Sequence, residues 1–109
     1  MIGKWLLAAA LALPAFCAAE TWNNVPLVDV ACSAKVKANP DAHTRSCAMQ
    51  CSKSGYGIVA SDGSFLRLDA HGNEQALEAL KSAKNDDHLR VTVTGARKGD
   101  TIQVESLKM

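Results

Sequence analysis

The order of strand and helix signals predicts a β-rich α+β domain, preceded by a signal peptide. Its architecture is either a five-stranded OB-like barrel or an open sheet with two helices on one face. Three observations carry this expectation. The first residues read as an export leader. Five short apolar or alternating segments are bounded by turn residues. A helical apolar face lies between the third and fourth of those segments.

The leader comes first. Lys4 is the one charge before Glu20, residues 5–13 read WLLAAALAL, Pro14 breaks that run, and Ala15, Cys17, Ala18 and Ala19 follow. A positive start, a short apolar stretch and a small-residue exit are the pattern of a secretory signal peptide, with cleavage expected after Ala19. A lipid-anchored start at Cys17 would need a small residue before it, where Phe16 is large. The apolar run is too short for a stable membrane-spanning helix, and no later stretch is long enough, so the mature chain is expected to carry no transmembrane segment. The chain thus divides into a signal peptide over residues 1–19 and one domain over residues 20–109. The whole chain has 109 residues, 12 basic and 11 acidic, and Lys4 is the basic residue lost with the leader. The mature domain is therefore formally neutral. It keeps three of the 4 cysteines: Cys32, Cys47 and Cys51.

Residues 25–31 (VPLVDVA) read as a first strand, with Pro26 suggesting an edge. Residues 33–40 are basic and polar and read as a loop. Asp41 is placed to cap a helix running to about Lys53, with Gly55 closing it. Residues 56–60 form the second strand, Asp62-Gly63 a tight turn, and residues 65–69 (FLRLD) the returning strand with Phe65 in the core. The run His71-Gly72-Asn73 breaks the chain, and Asn73 is placed to cap a helix whose Ala76, Leu77, Leu80 and Ala83 share one face. Leu89, Val91 and Val93 alternate with polar residues, Lys98-Gly99-Asp100 turns the chain, and Ile102, Val104 and Ser106 form the facing row.

The chemistry concentrates on the first helix. If that helix is continuous, His43, Cys47 and Cys51 fall four residues apart and form one stripe, over which Cys32 can close. Two readings follow. In an oxidising compartment Cys32 pairs with Cys47 or Cys51 and staples strand to helix, leaving one thiol over. Alternatively Cys32, His43, Cys47 and Cys51 form a four-ligand set for zinc or copper, although their spacing is not that of paired zinc knuckles. His43 could equally be a solvated residue of the first helical turn. On the cross-link reading its loss should leave stability nearly unchanged. A C-x-x-C redox pair is absent, since three residues separate Cys47 from Cys51.

Other function classes lack a signature. No nucleophile-elbow, zinc-protease or phosphate-loop pattern is present, and Asp86-Asp87 reads as a solvated turn rather than an acid–base pair. His71 and His88 read as exposed loop residues. Lys35, Lys37, Arg45 and Lys53 make a local basic region. With neutral net charge and Trp22, Tyr56 and Phe65 as the mature domain's aromatics, no nucleic-acid partner is expected.

The segments VDVAC (28–32), HTRSCAMQC (43–51), SGYGIV (54–59), DGSFLRLD (62–69) and VTVTG (91–95) together span most of the mature domain. On these the chain resembles a family of small exported bacterial proteins with an OB-like domain. The resemblance implies an export leader and a β-rich module, and it brings no catalytic residue. The expected function is a small exported non-enzymatic module, periplasmic or secreted. It would bind a ligand or protein partner and be stabilised by a cysteine cross-link; a thiolate–histidine metal protein is the alternative.

Overall fold

A computed structural model describes residues 19–109; the leader expected over residues 1–19 lies almost wholly outside them. Alternating apolar residues build five strands: β1 (Glu20–Asp29), β2 (Tyr56–Val59), β3 (Phe65–Leu68), β4 (Arg90–Lys98) and β5 (Thr101–Lys108). Three helices join them: α1 (Ser33–Val36), α2 (Arg45–Gln50) and α3 (Ala70–Ser82). The sheet closes into a barrel of order β1-β2-β3-β5-β4, with β4 returning to β1. This is the OB-like alternative, and the open sheet is not formed.

Closure depends on one parallel contact. The pairs Arg67↔Thr101 and Leu68↔Ile102 join β3 to β5. Arg67 N donates to Asp100 O at 2.7 Å and Asp69 N to Ile102 O at 3.0 Å. Two irregularities bend the strands round. In β1, Trp22↔Val93 is followed by Val25↔Val91, so one residue is extra, and Asn24 takes a left-handed φ of 51°. In the β4–β5 hairpin, Thr94↔Ser106 is followed by Gly95↔Val104. A side chain on Gly95 would place its Cβ 2.2 Å from Gln103 O, so glycine is required there.

The rows expected to face inward do so except at Ser106, where the register shift in the β4–β5 hairpin leaves Leu107 packed against the core instead. Leu89, Val91, Val93, Ile102 and Val104 join Val25, Leu27, Ile58, Leu66 and Leu68 in one buried cluster, and Ala76 and Leu80 of α3 close its end. Gly72 lets the helix seat closely, because a Cβ there would lie 2.5 Å from Val104 Cγ2.

Several local expectations are corrected. Pro26 is not on an edge: β1 pairs with both β4 and β2, and Pro26 lies where the β4 ladder ends and the β2 ladder begins at Leu27. Phe65 is half-buried rather than core, because Leu66 and Leu68 take the inward positions and its ring lies over Gly57. The long helix starts earlier than expected. Asp69 caps it by accepting from Gly72 N at 2.9 Å, and Asn73 sits inside it, accepting from Tyr56 N at 2.9 Å. The helix expected from Asp41 to Lys53 is interrupted. Pro40–Ala42 is a 3-10 turn, His43 is extended, α2 spans Arg45–Gln50 under a Thr44 cap, and Ser52–Ser54 is again 3-10. The preceding stretch holds the single helical turn α1 where a loop was expected.

Candidate functional site: the base of the β1–β2 excursion

Residues 30–55 leave the barrel between β1 and β2 and return to the point where they left. Val30 N donates to Gly55 O at 2.9 Å, and Ala31 N donates to Ser54 Oγ at 3.1 Å. Asp29, the last residue of β1, stands at this junction opposite Tyr56 and is fully buried. A carboxylate buried in an apolar strand requires partners. His43 Nε2 donates to its Oδ1 at 2.5 Å, and Cys32 N donates to its Oδ2 at 3.0 Å. The second bond makes Asp29 the cap of the 3-10 turn Val30–Cys32. The extended residue between the Pro40–Ala42 turn and α2 is what aims the imidazole inward, and His43 is only 5% exposed.

Two sulfurs complete the cluster. One carboxylate oxygen of Asp29 and the Sγ atoms of Cys32 and Cys51 all lie within 4.8 Å of one another. Cys51 reaches this point from the C-cap of α2, and Cys32 from the turn that Asp29 caps. Burial pushes the Cys32 thiol up, and the Asp29 carboxylate and the Cys51 sulfur beside it push it further. Burial likewise pushes up the Tyr56 phenol, with Asp29 and Cys51 adding to the effect. The Tyr56 hydroxyl donates to Ala48 O at 2.9 Å, which ties α2 to β2.

The sequence-predicted set is therefore regrouped. Cys32 and Cys51 come together. Cys47 is exposed on α2, and His43 is bonded to Oδ1 of Asp29. The helical stripe does not exist, because the interruption at residues 43–44 and the cap at Cys51 break its periodicity. Among the described residues, Asp29, Cys32 and Cys51 form the one group of this kind, so Cys32, His43, Cys47 and Cys51 do not meet as four ligands. The three described cysteines are free thiols, and the expected cross-link is not at bonding distance. His43 is not a solvated residue of a first helical turn but is buried against Asp29. Asp29 is the residue that sequence reasoning missed. Its signal was present: one carboxylate inside the apolar run VPLVDVA.

The excursion is fastened at its far side by polar contacts. Arg90 grips Asp41 through Nε to Oδ1 at 3.0 Å and Nη2 to Oδ2 at 2.8 Å. The Arg90 hydrogen bonds hold the Asp41 carboxyl below its ordinary range. Arg45 donates to Leu80 O at 2.6 Å and Lys81 O at 3.2 Å, so it caps the C-terminus of α3. Of the expected basic region, Arg45 is thus committed internally, while Lys35, Lys37 and Lys53 remain exposed. His71 lies exposed in the first turn of α3, and His88 is exposed beside Asp87.

No family model, curated protein or solved structure matches the chain. Among the described residues no helix is long and apolar enough to cross a membrane.

Proposed function

We propose that the chain is a small exported binding module, periplasmic or secreted, that works without catalysing a reaction. Its working surface is the β1–β2 excursion, latched by a Cys32–Cys51 cross-link. One observation carries this reading: the two sulfurs meet where both ends of the excursion join the barrel, within 4.8 Å of each other and of Asp29. A bond there would close the excursion at its base. In the chain-entropy model a loop of this size contributes about 3 kcal/mol. The two thiols would lose two electrons and two protons to an oxidised disulfide carrier of the exporting compartment, which leaves as a dithiol. The raised Cys32 thiol favours a structural role over a nucleophilic one, since reactive cysteines are those whose thiolate is stabilised. Cys47, exposed and apart, is the odd thiol.

The test is mass spectrometry and thiol counting on protein recovered from the exported fraction. The expected result is a chain beginning at Glu20, a linked Cys32–Cys51 peptide and a single reactive thiol at Cys47. A chain retained in the cytosol with its leader would overturn the export reading, and three reactive thiols in the exported protein would overturn the latch.

A further inference from the structure

We infer that Asp29, Cys32 and Cys51, with both thiols reduced, form a binding site for one soft divalent cation of the zinc class. The inference uses the same thiols as the latch but does not require that the latch forms.

Three features of the cluster support it. First, the donor set is that of a thiophilic metal: two sulfurs and one carboxylate oxygen, already within 4.8 Å of one another. Around a tetrahedral ion with metal–sulfur bonds of about 2.3 Å, neighbouring ligand atoms stand about 3.5–3.8 Å apart, so a small contraction completes the site. Hard cations such as calcium and magnesium prefer all-oxygen shells, and two thiolates select against them.

Second, the carboxylate is oriented before any ion arrives. His43 Nε2 holds Oδ1 and Cys32 N holds Oδ2, both from buried or half-buried positions. Ligating carboxylates are commonly held by hydrogen bonds from outside the coordination shell, and such partners raise metal affinity. His43 is thus a positioning residue, not a ligand.

Third, among the described residues no lysine or arginine forms an ion pair with the group. Among the described residues the basic side chain paired with Asp29 is His43, and the lysine and arginine ion pairs, Lys81 with Glu78 and Arg90 with Asp41, lie elsewhere. A carboxylate and two thiolates in one half-buried place would repel one another, and a bound cation relieves that repulsion as it displaces the two thiol protons. Cys32 and Cys51 are each half-buried, so both residues keep contact with solvent.

The test is cadmium and zinc titration of the reduced protein under anaerobic conditions. It is followed by the cadmium–thiolate charge-transfer absorption and by metal content after dialysis. The expected result is one ion per chain, unchanged in Cys47→Ser. Affinity should fall at least tenfold in Cys32→Ser and in Cys51→Ser, and about 10–100-fold in His43→Gln. Trp22 fluorescence and circular dichroism establish that each variant is folded. Absence of binding to the reduced, folded protein overturns the inference. So does binding that survives in Cys51→Ser but is lost in Cys47→Ser. If the reduced protein binds no ion yet oxidation links Cys32 to Cys51, the metal site fails and the latch stands. If it binds one ion and oxidation gives no link, the latch fails and the metal site stands.

Discussion

The barrel and the β1–β2 excursion are held by different forces. The barrel buries rows of valine, leucine and isoleucine from all five strands and closes their end with Ala76 and Leu80. The excursion has a single buried apolar residue between its ends, Ala48, and relies on directed polar contacts. These are His43 on Asp29, Arg90 on Asp41, Arg45 on the last carbonyls of α3, and Tyr56 on Ala48 O. Non-directional burial tolerates small rearrangements. Directed polar contacts fail one at a time, and a segment built on them opens locally at lower cost than the core.

The sharpest way to break this contrast is at the buried pair. His43→Ala leaves the fully buried Asp29 carboxylate with Cys32 N but without its imidazole. The expected loss is about 3–5 kcal/mol in urea unfolding, as for any buried pair deprived of one partner. A loss near zero would show that the excursion is not coupled to the barrel. Ile58→Ala removes a fully buried barrel side chain and should cost about 2–5 kcal/mol by the same measurement. The two variants should differ in hydrogen exchange. Ile58→Ala lowers protection throughout, whereas His43→Ala lowers it first over residues 30–55.

A smaller effect is expected at the start of α2. Thr44 Oγ1 accepts from Cys47 N at 3.2 Å, and Thr44→Ala should cost about 1 kcal/mol, read as a shift in the urea midpoint at unchanged slope. A negligible shift would mean that the short helix is held by Tyr56 and Arg45 alone.

The smallest effect is electrostatic. The folded state holds the Asp41 carboxyl below its unfolded value, first through the hydrogen bonds from Arg90. The folded state therefore binds this proton less readily. The contribution is fully present above the ordinary carboxylate value of about 3.9 and is lost as pH falls through the lower folded value. Comparing acid titrations of the wild type and Asp41→Asn isolates it. The gap between them should close at acid pH and shrink with added salt, because both side chains are partly exposed. A gap that widens on acidification would reverse the assignment.

The same contrast explains what could be read in advance. Barrel strands announce themselves, since a period of two places Val91 and Val93, or Ile102 and Val104, on one face wherever the neighbours lie. The excursion gives no such periodicity. The 3-10 turn at Pro40–Ala42 and the extended His43 replaced a continuous helix, and with it the stripe on which Cys47 had been grouped with Cys51. Capping was misassigned for a related reason. Both Asp69 and Asn73 are competent caps by composition, and Asn73 was drawn away by the unpaired N–H of Tyr56 on β2.

By itself, the sequence determined the β-rich class, the five strands and most of their inward positions, because these follow from local pattern and residue chemistry. Tertiary structure alone decided that the sheet closes through β3 and β5, that Asp29 lies buried beside Cys32, and that Cys51 rather than Cys47 meets Cys32. The physical reason is distance along the chain. Closure joins Arg67 to Thr101, and the site joins Asp29 to Cys51, through contacts whose partners lie too far apart in sequence for any local pattern to register them.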